Sequence, residues 1–501
     1  MNALTSTLLS AAAIAVATAG ASAQRALLFT PSTVESTRSG SNGTSLAALR
    51  PNGVAVVVPN AATPFSAETF AHGLAVQTLA GDEDGDNDTF SPNFGGGIDA
   101  MLVTPWDFDP AQGYRPRQLP VSYASVYFSP AADIGTNVSG APGLRRGDCG
   151  RFTRTPAGNG RVDHFLTAEQ IISALGLFDP ATNLPLNASD IDLDAITVTP
   201  ERDIFLSLDA DHAARLRVGP GAGVPTNFLL ADGAIAVIPA SAWTPNARGN
   251  VGAVTTQRGM IAFSEFDVHN LMVAAQATNL GGACTTNVLD TEGLAVDFDG
   301  GSFPITWGGQ VHTFRDLLIT TESLTGGGVI ATRGIGSIAI VNGRALATGC
   351  GAGPTTGQQV GIMPSATVGY LAAIEALPNV PEWFTIGSPS AVPLGGALQL
   401  DIGTSLTAPF AFLGLSLGQL PVASSQSFAA WSPNNLGFPE LYGNTLANPF
   451  LAIPMNASIG DGRFGSLSLP NSPAIPLGIL FQAITWTPNG VLHLSTPITL
   501  H

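Results

Sequence analysis

The stretch Asp190-Ile191-Asp192-Leu193-Asp194-Ala195-Ile196-Thr197-Val198-Thr199-Pro200, followed by Glu201-Arg202-Asp203 and Ile204-Phe205-Leu206-Ser207-Leu208-Asp209, constrains the fold more than any other. It reads as an apolar strand, a polar turn carrying Pro200, and a second apolar strand. Its first half returns as Gly97-Ile98-Asp99-Ala100-Met101-Leu102-Val103-Thr104-Pro105, as Asp232-Gly233-Ala234-Ile235-Ala236-Val237-Ile238-Pro239 and as Glu292-Gly293-Leu294-Ala295-Val296-Asp297. The second half has counterparts in Ser125–Ser129 and in Asp316–Thr321. A chain that repeats a strand pair in this way builds a β-repeat domain. Asp190 and Asp192 are assigned to the entry loop, and Asp194 to a turn that its side chain caps.

Aligning Ala100, Ala195, Ala234 and Gly293 gives intervals of 95, 39 and 59 residues. A four-stranded propeller blade takes about 40–50 residues, so the intervals fit blades carrying insertions. Composition agrees with an all-β chain. Hydrophobic residues make up 45% and charged residues 11%, while 58 glycines and 37 prolines provide turns between short strands. One helix interrupts the pattern near 167–178. Thr167 and Gln170 form a capping box, Asp179-Pro180 stops it, and Ile171, Ala174, Leu175 and Phe178 supply an apolar face.

Length and texture divide the chain of 501 residues. Residues 1–23 have the form of a secretory signal peptide, with an apolar run from Leu8 to Ala19 and Ala21-Ser22-Ala23 before Gln24. Residues 24–350 carry the propeller-like repeat. From 351 to 501, alternating segments such as Leu398–Asp401, Phe412–Leu417, Gly465–Leu469 and Ile479–Ile484 read as a β-sandwich. Within that part, Gly349-Cys350-Gly351-Ala352-Gly353, Leu469-Pro470-Asn471-Ser472-Pro473, Leu480-Phe481-Gln482-Ala483 and Leu492–Leu500 resemble the C-terminal β-sandwich module of large exported proteins of planctomycete-type bacteria. The resemblance implies export and a sandwich preceded by a propeller-like region, and it carries over no catalytic residue. Phe481 departs from the module's aliphatic pair before Gln482, and segment 435–450 is longer.

Charge excludes several functions. The net charge is −17, and all 19 basic residues are arginine. Nucleic acid and anionic membranes both require a cationic face, so neither is an expected partner. Without lysine there is no phosphate-loop lysine and no Schiff-base chemistry. No stretch of the mature chain holds the run of about 18 apolar residues that a membrane helix needs. Of Cys149, Cys284 and Cys350, two can pair in an oxidising compartment and leave one over, by three possible pairings.

Candidate sites are few. Asp82, Asp84, Asp86 and Asp88 alternate in a glycine-containing loop whose carboxylates can wrap Ca²⁺, with a solvated acidic turn as the alternative. EF-hand spacing is not met: counted from Asp82 or Asp84, the sixth residue is Asn87 or Thr89 and the twelfth is Asn93 or Gly95. Asp163-His164, Asp209-Ala210-Asp211-His212 and Asp267-Val268-His269 pair imidazoles with carboxylates, as metal ligation or acid–base work would need. Gly414-Leu415-Ser416-Leu417-Gly418 matches a hydrolase elbow in letters but reads as one strand. Arg146-Gly147-Asp148 spells the integrin-binding tripeptide.

The resulting expectation is an exported, non-catalytic binding or structural protein of the cell surface or extracellular space. Its partner would be an extracellular protein or polysaccharide, and Ca²⁺ would order the acidic loop. No catalytic residue is assigned. The competing expectation is a metal-assisted extracellular hydrolase of an ester or glycan, with His164, His212 and His269 converging.

Overall fold

The structure, a computed structural model, describes residues 143–154, 160–219, 223–268 and 302–321 without interruption, and elsewhere the strands named below with short flanking stretches. Among these residues the chain is all-β. Its strands form small antiparallel sheets, and helical structure is confined to Ala168–Leu175, the one-turn segments Ala188–Asp190 and Ala240–Ala242, and a turn at 265–268.

Four sheets of four strands share one plan. One runs in the order Ile98–Leu102, Ser125–Pro130, Cys149–Arg154, Gly160–Leu166. The next runs Leu193–Val198, Ile204–Leu208, Ile235–Ile238, Met260–Phe263. A third runs Thr291–Val296, Leu317–Thr321, Ile338–Val341, Gln359–Val360. The fourth begins with Leu371–Leu377 and is completed by Ala26–Pro31, Val54–Val57 and Glu68–Ala71 from the other end of the chain. Their first strands lie against one another: Ile98–Leu102 beside Leu193–Val198, then Thr291–Val296, then Leu371–Leu377, which returns to Ile98–Leu102.

The same irregularity marks every first strand. Where it pairs with the second strand, the register slips by one residue, so that the Cα pairing passes over Asp99, Asp194, Glu292 and Ala372. Such a bulge sets two residues against one and bends the strand. The next residue pairs with a serine or threonine in each case: Ala100 with Ser129, Ala195 with Ser207, Gly293 with Thr320 and Ala373 with Thr30. Ser129 and Ser207 are buried and so need acceptors. Ser129 Oγ donates to the Arg146 carbonyl at 2.8 Å, and Ser207 Oγ lies 2.9 Å from the carbonyls of both Asp232 and Ala234.

Two sequence expectations change here. Ala234 is not a repeat equivalent of Ala195, because it precedes Ile235–Ile238, the third strand of the same sheet. The equivalent positions are Ala100, Ala195, Gly293 and Ala373, and subtracting their numbers gives spacings of 95, 98 and 80 residues. Asp194, expected to cap a turn, is instead the buried bulge residue inside Leu193–Val198. Leu371–Leu377, which lies beyond residue 351, pairs with Ala26–Pro31.

Beyond residue 377 two further antiparallel sheets form. One orders Phe384–Gly387, Ala397–Thr404, Gly462–Pro470 and Ala457–Ile459. The other orders Leu451–Pro454, Phe410–Leu417, Ile479–Trp486 and Leu492–Leu494, with Ile498–Leu500 also on Ile479–Trp486. The two sheets touch where Leu451–Pro454 meets Gly462–Pro470 and where Phe384–Gly387 meets Ile479–Trp486.

The core follows from strand alternation. Successive side chains point to opposite faces. In the sheet Leu193–Phe263, Ile196, Val198, Ile204, Leu206, Ala236 and Ile238 face one cluster, with Tyr127, Phe165 and the helix residues Ile171, Ala174 and Leu175. Ala195, Phe205, Ile235, Val237, Met260 and Phe263 face another, with Leu294, Phe303, Phe314, Leu317 and Ile319. Phe205 and Phe314 meet edge to face at 5.3 Å, as do Tyr127 and Phe165 at 4.7 Å. Both faces are dry, which explains the unbroken apolar runs where a half-exposed antiparallel sheet would alternate.

The helix has the expected capping box, with Gln170 N–H donating to Thr167 Oγ1 and Thr167 N–H to Gln170 Oε1. It ends at Leu175, earlier than expected. Gly176 takes a left-handed φ of 61°, which glycine adopts at low cost, and turns the chain into the strand Leu177–Phe178. Phe178 therefore belongs to a strand and lies under the Arg215 guanidinium, 4.4 Å from the ring centroid.

Leu206→Ala and Phe205→Ala empty opposite faces of one sheet, and each is expected to lower unfolding free energy by about 2–5 kcal/mol. Chemical denaturation of the two variants checks this, and a neutral result for either places that face in solvent.

Candidate functional site

The segment Arg145–Asp148 joins two sheets and the helix. Asp148 is 1% exposed. Its Oδ1 accepts the N–H of Ala168, the first residue of the helix, at 2.9 Å, and its Oδ2 accepts the N–H of Arg145 at 2.9 Å. His164 Nε2 stands 3.5 Å from Oδ2 and 3.1 Å from the Gly143 carbonyl. The Arg146 carbonyl receives the N–H of Leu193 at 3.1 Å, and its guanidinium pairs with Asp192 at 3.1 Å. A Cβ on Gly147 would come within 2.6 Å of the Ile191 carbonyl. The tripeptide Arg146-Gly147-Asp148 is thus a packed junction, with its carboxylate spent on the helix and on His164, and it does not present an integrin ligand.

Burial works to raise the pKa of Asp148, but the His164 hydrogen bond and the two backbone N–H groups outweigh it and hold the carboxyl below its usual range. His164 moves upward because of the hydrogen bond it donates to Asp148, against an opposing effect of burial. The histidine's contribution to stability is present below its unfolded pKa near 6.5 and is lost as pH rises through its folded value. The aspartate's is present above its unfolded value near 3.9 and is lost as pH falls through its folded one. The pair therefore stabilises most in the mildly acidic window between them.

Among the described residues, the other acid–histidine neighbours have separate engagements. Asp163 and His164 are consecutive in Gly160–Leu166 and so face opposite ways; Asp163 pairs with Arg248 at 2.7 Å. Asp267 accepts from Ser264 N–H at 3.0 Å and Ser264 Oγ at 2.6 Å, capping the turn at 265–268. His212 is buried elsewhere. His269 and the acidic loop Asp82, Asp84, Asp86 and Asp88 lie outside the described residues. Among the described residues no three His, Cys, Asp or Glu side chains are grouped to hold a metal ion. Ser416 sits inside the continuous strand Phe410–Leu417, opposite Leu480, without the strand-to-helix turn of a hydrolase elbow.

What the structure does bring together is a rim of aspartates that local sequence does not join. Asp133 accepts the Arg146 N–H at 3.0 Å, Asp209 donates its N–H to the Asp192 carbonyl at 3.3 Å, and Asp211 accepts the Asp232 N–H at 3.2 Å. Burial pushes the Asp192 carboxyl up to about 6; Arg146 opposes this, while Asp209 and Asp133 add to it. No signal in the sequence foretells the rim, because its members come from the separate loops at 131–133, 187–192, 209–211 and 231–233.

Cys149 is buried and unpaired, so it is the one left over from any pairing among the three cysteines. Cys284 and Cys350 lie outside the described residues. Burial, reinforced by Asp148, drives the Cys149 thiol far above its ordinary pKa, and thiolate chemistry is suppressed. Among the described residues no helix is long and apolar enough to cross a membrane. Neither the protein-family models nor the curated proteins give a match to this chain.

Two outcomes are expected. The loss of thermal stability caused by His164→Gln is larger at pH 5.5 than at pH 8.5, and an equal loss at both contradicts an ion pair with Asp148. Cys149 resists alkylation in the folded protein and reacts once the chain is denatured, as peptide mass spectrometry will show.

Proposed function

We propose that this is an exported, non-catalytic binding or structural protein of the cell surface or extracellular space. In this reading the four sheets are blades of a small propeller-like domain, closed where Leu371–Leu377 takes up the N-terminal strand Ala26–Pro31, and the two sheets beyond 377 form a β-sandwich. The repeated bulge, the serine or threonine paired beside it and the cyclic contact of the first strands support it. Residues 1–23 act as the export leader, and the resemblance of residues 349–500 to modules of planctomycete-type exported proteins points the same way.

The observation that carries the non-catalytic reading is the employment of the polar side chains on offer. Asp148 and His164 secure the junction, Asp163 holds Arg248, and Asp267 caps a turn. Loops at the sheet ends remain as contact surface, where the aspartate rim favours a partner with cationic or hydroxyl-rich groups, an extracellular protein or polysaccharide. Ca²⁺ ordering Asp82, Asp84, Asp86 and Asp88 belongs to the same proposal.

Expression with the leader, fractionation and N-terminal sequencing test it. The expected product is an extracytoplasmic chain beginning at Gln24 that hydrolyses neither model esters nor polysaccharides when zinc or manganese is added. A cytoplasmic chain retaining Met1 overturns the export reading. Turnover abolished by chelation and by His164→Ala overturns the non-catalytic one.

A further inference from the structure

A hairpin outside the four main sheets carries a buried group that nothing so far accounts for. His212–Val218 pairs with Val224–Leu230 on one side and with the two residues Leu177–Phe178 on the other. His212 opens the strand opposite Leu230 and shares a sheet face with Ala214 and Leu216, both in the core. It is 8% exposed, and its Nε2 is buried with no hydrogen-bond partner. A neutral imidazole can leave one nitrogen as an idle acceptor, whereas an imidazolium donates from both and needs acceptors for both. We propose that His212 is a proton-operated latch: neutral, it holds the hairpin against the core; protonated, it releases the hairpin into water.

The charged groups around it do not remove the cost of protonation. Asp190, on the one-turn segment Ala188–Asp190, already accepts from Asn187 through its backbone N–H at 3.2 Å and its side-chain amide at 3.1 Å. Asp211 accepts the Asp232 N–H. Asp209, the third carboxylate acting on the ring, adjoins Asp192, which the Arg146 guanidinium faces. Burial outweighs the pull of Asp211, Asp190 and Asp209 and holds the imidazole below its usual value. With the folded value depressed, the contribution is present above the unfolded pKa near 6.5 and is lost as pH falls through the folded value. This is opposite in sign to His164, so the two histidines separate on a pH axis.

Release falls on the hairpin because its outer strand is an edge. Val224–Leu230 is exposed along most of its length, with Val224 70% and Leu229 64% exposed, and it is held by Leu230, opposite His212, and by Phe228. Opening would uncover Leu216 and part Phe228 from Trp307, whose rings lie 5.1 Å apart.

Hydrogen exchange of the full chain, corrected for intrinsic rates, tests this at pH 7.5 and pH 5. Peptides spanning 212–230 should lose protection on acidification, by up to about tenfold per pH unit for one proton, while 193–208 stays protected. His212→Gln and His212→Leu should each remove the response, and Asp192→Asn should leave it intact. A response that persists in both His212 variants, or disappears in Asp192→Asn alone, overturns the latch. Where a variant does not fold, an NMR titration of the His212 ring in the unaltered protein decides: an apparent pKa below 6.5 is expected, and one at or above it contradicts the proposal.

Discussion

Water is excluded from both faces of the sheet Leu193–Phe263, and the arrangement around it depends on that constraint. An antiparallel sheet commonly leaves one face wet. Here Ile204 and Leu206 on one side and Phe205 on the other are all buried, so a neighbouring layer must cover each face. The sheet Ile98–Leu166 with the helix Ala168–Leu175 supplies one cover, and the sheet beginning at Thr291–Val296 with the hairpin Ser302–Arg315 supplies the other. Side-by-side packing of sheets in this way brings their first strands together, and the bulge in each bends the strand where they gather.

Polar chemistry in the molecule is subordinate to that packing. Asp148 ties the start of the helix to His164, and Arg146 ties its own turn to Leu193 and Asp192. These contacts sit at the seam between two layers, where buried donors and acceptors must be satisfied if the layers are to meet. The aspartate rim adjoins the seam at Asp192, whose carboxyl is pushed up by burial, with Arg146 opposing and Asp209 and Asp133 adding to the rise.

Much of the fold was legible because apolar strands sandwiched between layers carry a strong local signature. Residues 97–105, 193–200 and 292–297 matched in sequence, and Ile98–Leu102, Leu193–Val198 and Thr291–Val296 are the first strands of three sheets. The fourth, Leu371–Leu377, escaped because Ala372 stands where the others carry an acid and its sheet is completed by residues more than 300 positions away in the chain. Asp232-Gly233-Ala234 misled because a third strand entering the same dry layer needs the same small and apolar residues. Of the acid–histidine neighbours, Asp163 and His164 show how adjacency in sequence separates side chains in space: adjacent residues on a strand point apart, so the two serve different partners. The link between Arg146 and Asp192, 46 residues apart, had no local signal at all.

Native-state hydrogen exchange measures the central constraint most directly. If both faces of the sheet are dry, amides of Leu193–Val198, Ile204–Leu208 and Ile235–Ile238 exchange together and only through global unfolding, with one free energy and one denaturant dependence. Exchange of any of these strands through a smaller opening, at a free energy well below that of global unfolding, would contradict the account by showing one face to be only lightly covered.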